Sequence, residues 1–511
     1  MTIQGRSRTG IVEIPCGGGI VADDVEHELL EPIWTDGLNV RFGGGFVRKT
    51  EGYAQTLSSV AAPVRHVCSV QSAGNSWVSV TDTNIYADDG ITQTDITGTP
   101  LTGSQANKVT SSVLGGVLVI NNGADVPRYW GGSGTTQDLP GWTSTHRCKS
   151  VRAFLNYLVA VNVTKDVVNY GSMVKWSDVA ESGSIPDSWD TSDPTRDAGE
   201  LQAAETDDDL VDSLPLGNVL VLYKQRSMYA MQFTRNNDIF RVFRLPGDYG
   251  MIAPNCAANV PRGHVVLTNG PDVILHYANE PQSIITGKWR DWLRENLDPA
   301  NYEQSFVTAN TPKGEVWICI PTAGSSYCNR ALVWNYEEDT WSLLELPNVT
   351  HGAIGVLQSS DDGWEDDEAT WEGDDTPWDP LDVADRLVMS SGNAKLYVMD
   401  EGDTFDGAQI SASVTRDGLS FGDAEIVKLL RSITPRVNGL AGTVLAFTPR
   451  YSNDVEGAYS SGSPVSYTVG TTRKAHLLKS GRQLGVAIAS AGAGDWRIKS
   501  MGWDVVPMGD Y

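Results

Sequence analysis

Apolar positions along the chain fall into short runs bounded by Gly, Asn, Asp and Ser clusters, the pattern of β-strands separated by turns. A form recurs: an apolar run, a turn, and a second run carrying an aromatic residue. It is seen in WVSVTDTNIYADDG from Trp77, GGVLVINNGADVPRYW from Gly115, YLVAVNVTKDVVNYGSMVKWSD from Tyr157 and GNVLVLYKQRSMYAMQF from Gly217. It returns in GHVVLTNGPDVILHYANE from Gly263, GEVWICIPTAGSSYCNRALVWNYEEDTW from Gly314 and RLVMSSGNAKLYVMD from Arg386. With Val78, Val117, Leu158, Val219, Val265, Val316 and Leu387 as equivalent points, the intervals are 39, 41, 61, 46, 51 and 71 residues. A four-stranded propeller blade needs roughly 40 to 50 residues, so the spacing predicts an all-β chain whose residues 61–403 form a β-propeller of six or seven blades with insertions. Unrelated hairpins in a sandwich share the local signals but have no reason to keep that spacing.

Beyond Thr404 the texture changes. Six strand candidates follow without the paired aromatic motif, so residues 404–511 are expected to form a C-terminal β-strand extension or sandwich, or to close the ring. Residues 1–60 read as a distinct N-terminal extension with a hairpin. The best helical pattern is GKWRDWLRENL, residues 287–297, where Trp289, Trp292 and Leu293 share one face.

Charge narrows the function classes. Lys+Arg 38 against Asp+Glu 64 leaves a net charge of −26 over 511 residues, which argues against a surface that grips nucleic acid or anionic membrane. The chain has no apolar run of membrane-spanning or signal-peptide length, so it is expected to fold in the cytoplasm without membrane insertion. The six cysteines are scattered without a C-x-x-C pair and are expected to be free buried thiols. No His or Cys spacing suggests a metal, and no cofactor motif is present.

No G-x-S-x-G, H-E-x-x-H, Walker loop or strand-linked G-x-G-x-x-G occurs, so the chain reads as non-enzymatic. The competing reading is a glycan-binding or glycan-cleaving propeller, the latter needing two facing carboxylates. Two segments stand out as partner contacts. Asp361 to Asp382 holds eleven acidic residues, no basic ones, and Trp364, Trp371 and Trp378 at intervals of seven. It reads as a solvated loop, as a docking arm whose tryptophans bury against a neighbour, or as a calcium-binding cluster. The segment around Trp34 predicts a turn at Asp36-Gly37, a strand from Asn39 to Phe42, a reversal at Gly43 to Gly45 and a return from Phe46 to Lys49. Its cations Arg41, Arg48 and Lys49 are expected to be exposed and to pair with an acidic partner.

WTDGLNVRFGGGFVRKTEGY resembles the opening hairpin of tail hub, or nozzle, proteins of short-tailed bacteriophages, through Trp34, Asn39, Val40, Arg41, Phe42, Gly45, Lys49, Gly52 and Tyr53. The stretches Val174 to Glu200, Leu245 to Asn255, Arg330 to Ser342 and Ser480 to Val505 are similar to such proteins in the same order. The resemblance implies a virion tail protein, a propeller subunit of a homohexameric ring below the head-to-tail adaptor. It implies that the ring guards DNA exit and carries tail fibres, spikes or a needle. Passing DNA would not be bound tightly, with carboxylates lining the bore and the few basic residues at subunit contacts.

Overall fold

The computed structural model describes residues 10–21, 29–71, 76–234, 238–277, 280–285, 287–357, 385–454, 457–492 and 494–509. Trp364, Trp371 and Trp378 lie outside the described residues.

Seven antiparallel four-stranded units follow one another along the chain. Blades one to five span residues 66–95, 110–138, 147–202, 210–244 and 257–283. Blade six begins with Phe306–Asn310, Glu315–Ile320 and Cys328–Asn335, and its fourth strand is the first half of Thr340–Val356. That long strand changes allegiance at Pro347 and Asn348: Val349 pairs with Cys328 of blade six and also with Ser391 of the next blade. Proline cannot donate to a ladder and Asn348 sits at φ +55°, so the break in register falls where the backbone can bend. Residues 349–356 are thereby the innermost strand of blade seven, followed by Asp385–Ser391 and Leu396–Met399. Its outermost strand is Tyr53–Thr56, paired Leu396↔Thr56 and Met399↔Tyr53, so the two ends of the propeller are hydrogen-bonded to each other.

All seven reference points of the sequence spacing lie on the second strand of a blade. The long intervals have identified sources. Residues 177–198 form a loop in blade three in which Trp189 meets Trp142 edge-on at 4.8 Å. The helix Gly287–Asn296 separates blades five and six, burying Trp289 and Leu293 on one face as the spacing requires. All six cysteines are buried and unpaired.

The segments on either side of the propeller are not separate pieces, contrary to the expected division. Val40–Gly43 and Phe46–Lys49 form the predicted hairpin, turned by Gly44 (φ +61°) and Gly45 (φ +77°), the two positive φ values of a type I′ turn. This hairpin joins the sheet made by Trp496–Gly509, Val427–Gly439 and Ala475–Gly481, to which Gly10–Pro15 also pairs. Asp36–Leu38 is a strand rather than a turn, and it extends a second sheet of Ser411–Leu419, Gln483–Ala491 and Val444–Ser452. N-terminal and C-terminal residues thus build one β-sandwich around Phe447, Ile488, Trp496, Ile498 and Trp503. The apolar cluster continues without a break from this sandwich into blades four to six.

Candidate functional site

Two of the cations expected to face a partner, Arg41 and Lys49, lie instead at the joint between propeller and sandwich. Arg41 is 2% exposed. Its Nη2 donates to Asp400 at the end of blade seven, and its Nη1 lies 3.3 Å from Glu315 Oε2 in blade six. Its guanidinium stacks over the Trp317 ring at 4.9 Å. Trp317 Nε1 in turn donates to Glu315 at 3.2 Å, and Asn310 Nδ2 donates to Asp400 at 2.8 Å. Lys313 lies 3.4 Å from Asp400 and also pairs with Glu51. Burial opposes ionisation of Asp400, but the adjoining Arg41 and Lys313 charges outweigh it and hold the carboxyl below its usual range. At Glu315 burial prevails over Arg41, and its carboxyl is raised. Burial also disfavours the charged form of Arg41, yet the Asp400 and Glu315 carboxylates raise its pKa overall.

Asn39 closes the other side of the joint. It holds φ +56°, a conformation Asn tolerates better than most residues. Its Nδ2 donates to Glu345 Oε2 (2.9 Å) in blade six and to the Ser411 carbonyl (2.8 Å) in the sandwich, while its Oδ1 accepts from the Glu345 N–H (2.9 Å). Gly52 lies where the chain passes into blade seven, and a Cβ there would stand 2.0 Å from the Thr404 carbonyl oxygen. Tyr53 stacks on Phe405 at 4.7 Å and meets Tyr397 edge-on at 5.2 Å.

Lys49 is likewise buried, its Nζ donating to the Gly492 carbonyl at 2.7 Å and the Asp403 carbonyl at 3.2 Å. Burial lowers its pKa, against the pull of Asp403 and Asp495. Trp34 is buried and donates from Nε1 to the Cys16 carbonyl at 2.8 Å. Arg48 keeps 37% of its side chain exposed and lies 3.4 Å from Glu51. The expectation of exposed cations therefore fails for Arg41 and Lys49: both occupy pockets of carboxylates or carbonyls supplied by residues more than 250 positions away, which no local pattern displays.

A second polar network, not anticipated from sequence, ties the innermost strands together. Asp212 of blade four, fully buried, accepts from Ser150 Oγ (2.5 Å), Arg152 Nε (2.9 Å) and the Asn255 N–H (3.0 Å). Burial raises its pKa, but Arg152 and these donors lower it more. Arg152 also donates to the Ser111 carbonyl of blade two and to Asn255 Oδ1, both at 2.7 Å. His66 Nε2 is 2.7 Å from Ser111 Oγ, and the His66 ring lies 3.8 Å from that of His351 in blade seven. Burial of this girdle drives both histidines toward the neutral form. Among the described residues no group of three His, Cys, Asp or Glu is placed to hold a metal ion, and no helix is long and apolar enough to cross a membrane.

Strand order and joint together define an all-β protein: a seven-bladed β-propeller locked to a β-sandwich. No protein-family model matches the chain, and no curated protein matches it. Solved structures with some likeness include PorZ, a bacterial surface component of the type-IX secretion system of Porphyromonas gingivalis (TM-score 0.37, 10% identity, 71% of this chain and 42% of that one). Human WBSCR16 (0.34, 8%, 57% and 85%) and the computationally designed Ika8 protein (0.33, 12%, 68% and 99%) are others. This chain spans less than half the length of PorZ, and at these scores the likenesses carry no argument; the propeller assignment rests on the strand pairing itself.

Proposed function

We propose that the chain is a structural virion protein, a subunit of the ring-shaped tail hub or nozzle of a short-tailed bacteriophage. It would sit below the head-to-tail adaptor, surround the DNA exit channel and carry fibres or spikes. The observation that supports this reading is where the hub-like hairpin motif lies. Asn39, Arg41 and Lys49 are spent on joining propeller to sandwich through buried contacts, while Trp34 is buried on the Cys16 carbonyl and Gly52 and Tyr53 pack at the blade-seven seam. A ring that holds pressurised DNA must transmit load between its parts without relative slip, and a joint of buried, directional ion pairs and hydrogen bonds resists slip better than apolar packing alone. The bore of the ring would be lined by carboxylates, with basic residues at subunit contacts.

Negative-stain imaging and mass photometry of the purified protein, alone and with the adaptor, test the reading. Closed rings with an axial opening are expected, with Arg41→Met impairing ring formation. A protein that stays monomeric and does not bind the adaptor would overturn it.

A further inference from the structure

A cavity of about 260 Å³ opens at one mouth of the propeller axis. Its lining comes from blades two and three and from the segments leading into blades five and six, so it spans the axis where innermost strands begin. Against a chain charge of −26, the lining holds Lys108, Arg147 and Lys149 and a single carboxylate, Glu303. No ion pair to Glu303 is formed by either lysine among the described residues. Arg147 is occupied with the Ala124, Ser144 and His146 carbonyls. The two lysines are not neutralised. Lys108 Nζ donates to the Gln304 carbonyl at 2.8 Å and lies 5.9 Å from the Phe306 ring, with no carboxylate within ion-pair distance. Lys149 Nζ has no hydrogen bond or ion pair among the described residues. Asn107 accepts from Ser104 through Oδ1, which leaves its amide N–H groups free.

Uncompensated ammonium groups facing one cavity raise the free energy of the empty site, and an anion relieves it. Burial lowers the pKa of Lys108, and the more distant Glu303 charge does not offset it. The cavity has no aromatic lining residue, so it offers no stacking surface for a neutral sugar ring.

We propose that this axial cavity binds a small oxyanion, a phosphate or carboxylate group, held by Lys108 and Lys149 with Asn107 as a neutral donor. The proposal is independent of the tail-hub reading: either stands if the other fails. Isothermal titration calorimetry of the full chain with inorganic phosphate, glucuronate and glucose tests it. One saturable site is expected for at least one anion, weakening as NaCl is raised, with no binding of glucose. Tighter binding of phosphate than glucuronate identifies a phosphate-bearing ligand, and the reverse identifies an acidic sugar. Lys149→Gln, whose ammonium has no hydrogen bond or ion pair to lose among the described residues, is expected to weaken binding at least tenfold, as is Lys108→Met. Lys474→Gln, exposed on the sandwich, is expected to leave it unchanged. If Lys108→Met does not fold, Lys149→Gln alone decides. No saturable anion binding, equal binding of glucose, or wild-type affinity in Lys149→Gln would overturn the proposal.

Discussion

Replacing Arg41 by Met removes the cation that pairs with both Asp400 and Glu315 while keeping an unbranched side chain against Trp317. Breaking a buried ion pair by deleting one partner costs about 3–5 kcal/mol, because the remaining charge is left desolvated. Here the lower end applies. Asp400 keeps Asn310 and Lys313, at 2.8 and 3.4 Å, and Glu315, whose carboxyl is already raised, escapes by taking up a proton. About 3 kcal/mol taken from the local opening free energy of the joint corresponds to roughly 100-fold faster amide exchange, at 1.36 kcal/mol per factor of ten. Hydrogen exchange read by mass spectrometry on peptides covering residues 36–52 and 396–409 is the assay, with blade two as internal reference. Adding Asp400→Asn to Arg41→Met removes the orphaned carboxylate and is expected to restore part of the protection. If Arg41→Met leaves exchange at the joint unchanged, or if the double variant exchanges as fast as the single one, the ion pair is not what holds the two units together.

Asn39→Ala is expected to destabilise more than Asn39→Gly, because glycine accepts φ +56° and loses only the side-chain hydrogen bonds; urea midpoints rank the two, and equal midpoints would refute a backbone contribution. Gly52→Ala places a methyl against the Thr404 carbonyl and should cost ~2–3 kcal/mol, visible as a lower melting temperature and protease cleavage near the blade-seven seam. His264 Nε2 faces the Pro215 carbonyl at 2.9 Å and must carry a proton, so its Nδ1 accepts from Tyr223, whose oxygen accepts in turn from His276 Nδ1. That chain leaves His276 Nε2 buried without a partner. Burial pushes His264 down to about 4 and His351 down to about 3, below the roughly 6.5 of an unfolded chain. Their stabilisation is therefore complete above about pH 6.5 and is lost as pH falls through the folded values. Melting temperature should fall steadily from pH 6.5 to 4, and His351→Gln should flatten the slope; an unchanged slope would mean that His351 is not neutral in the fold.

The blades were legible because their second strands are buried on both faces and therefore read as apolar runs, Val219 to Tyr223 and Val316 to Ile320 among them. Sandwich strands bury one face and alternate, as Ala475–Gly481 does, which is the change of texture seen beyond Thr404. The change marked a second unit but not its composition, since pairing of Gly10–Pro15 with Trp496–Gly509 joins segments nearly 500 positions apart and leaves no local trace. Charge misled for a related reason. Arg41 and Lys49 stand out as cations in an acidic chain, yet their counter-groups come from residues 315, 400, 403 and 492. Asp36-Gly37 looks like a turn, but a Cβ at Gly37 would stand 2.9 Å from Ile20 Cδ1, so that glycine serves close packing within a strand.

The closing strand Tyr53–Thr56 imposes an order on synthesis. Its partner, Leu396–Met399, leaves the ribosome some 340 residues later, about 20–70 s at ordinary elongation rates of 5–20 residues per second. During that interval the first strands of the chain wait with unpaired edges while successive blades fold behind them, the setting in which exposed edges recruit wrong partners. The sandwich waits longer still, because the partner of Gly10–Pro15 is among the last segments made. Neither unit can therefore be completed by folding from the N-terminus alone. A nascent chain halted within blade seven would carry finished blades and an open seam, making chaperone occupancy of such stalled chains a direct measure of how the ring is held ready to close.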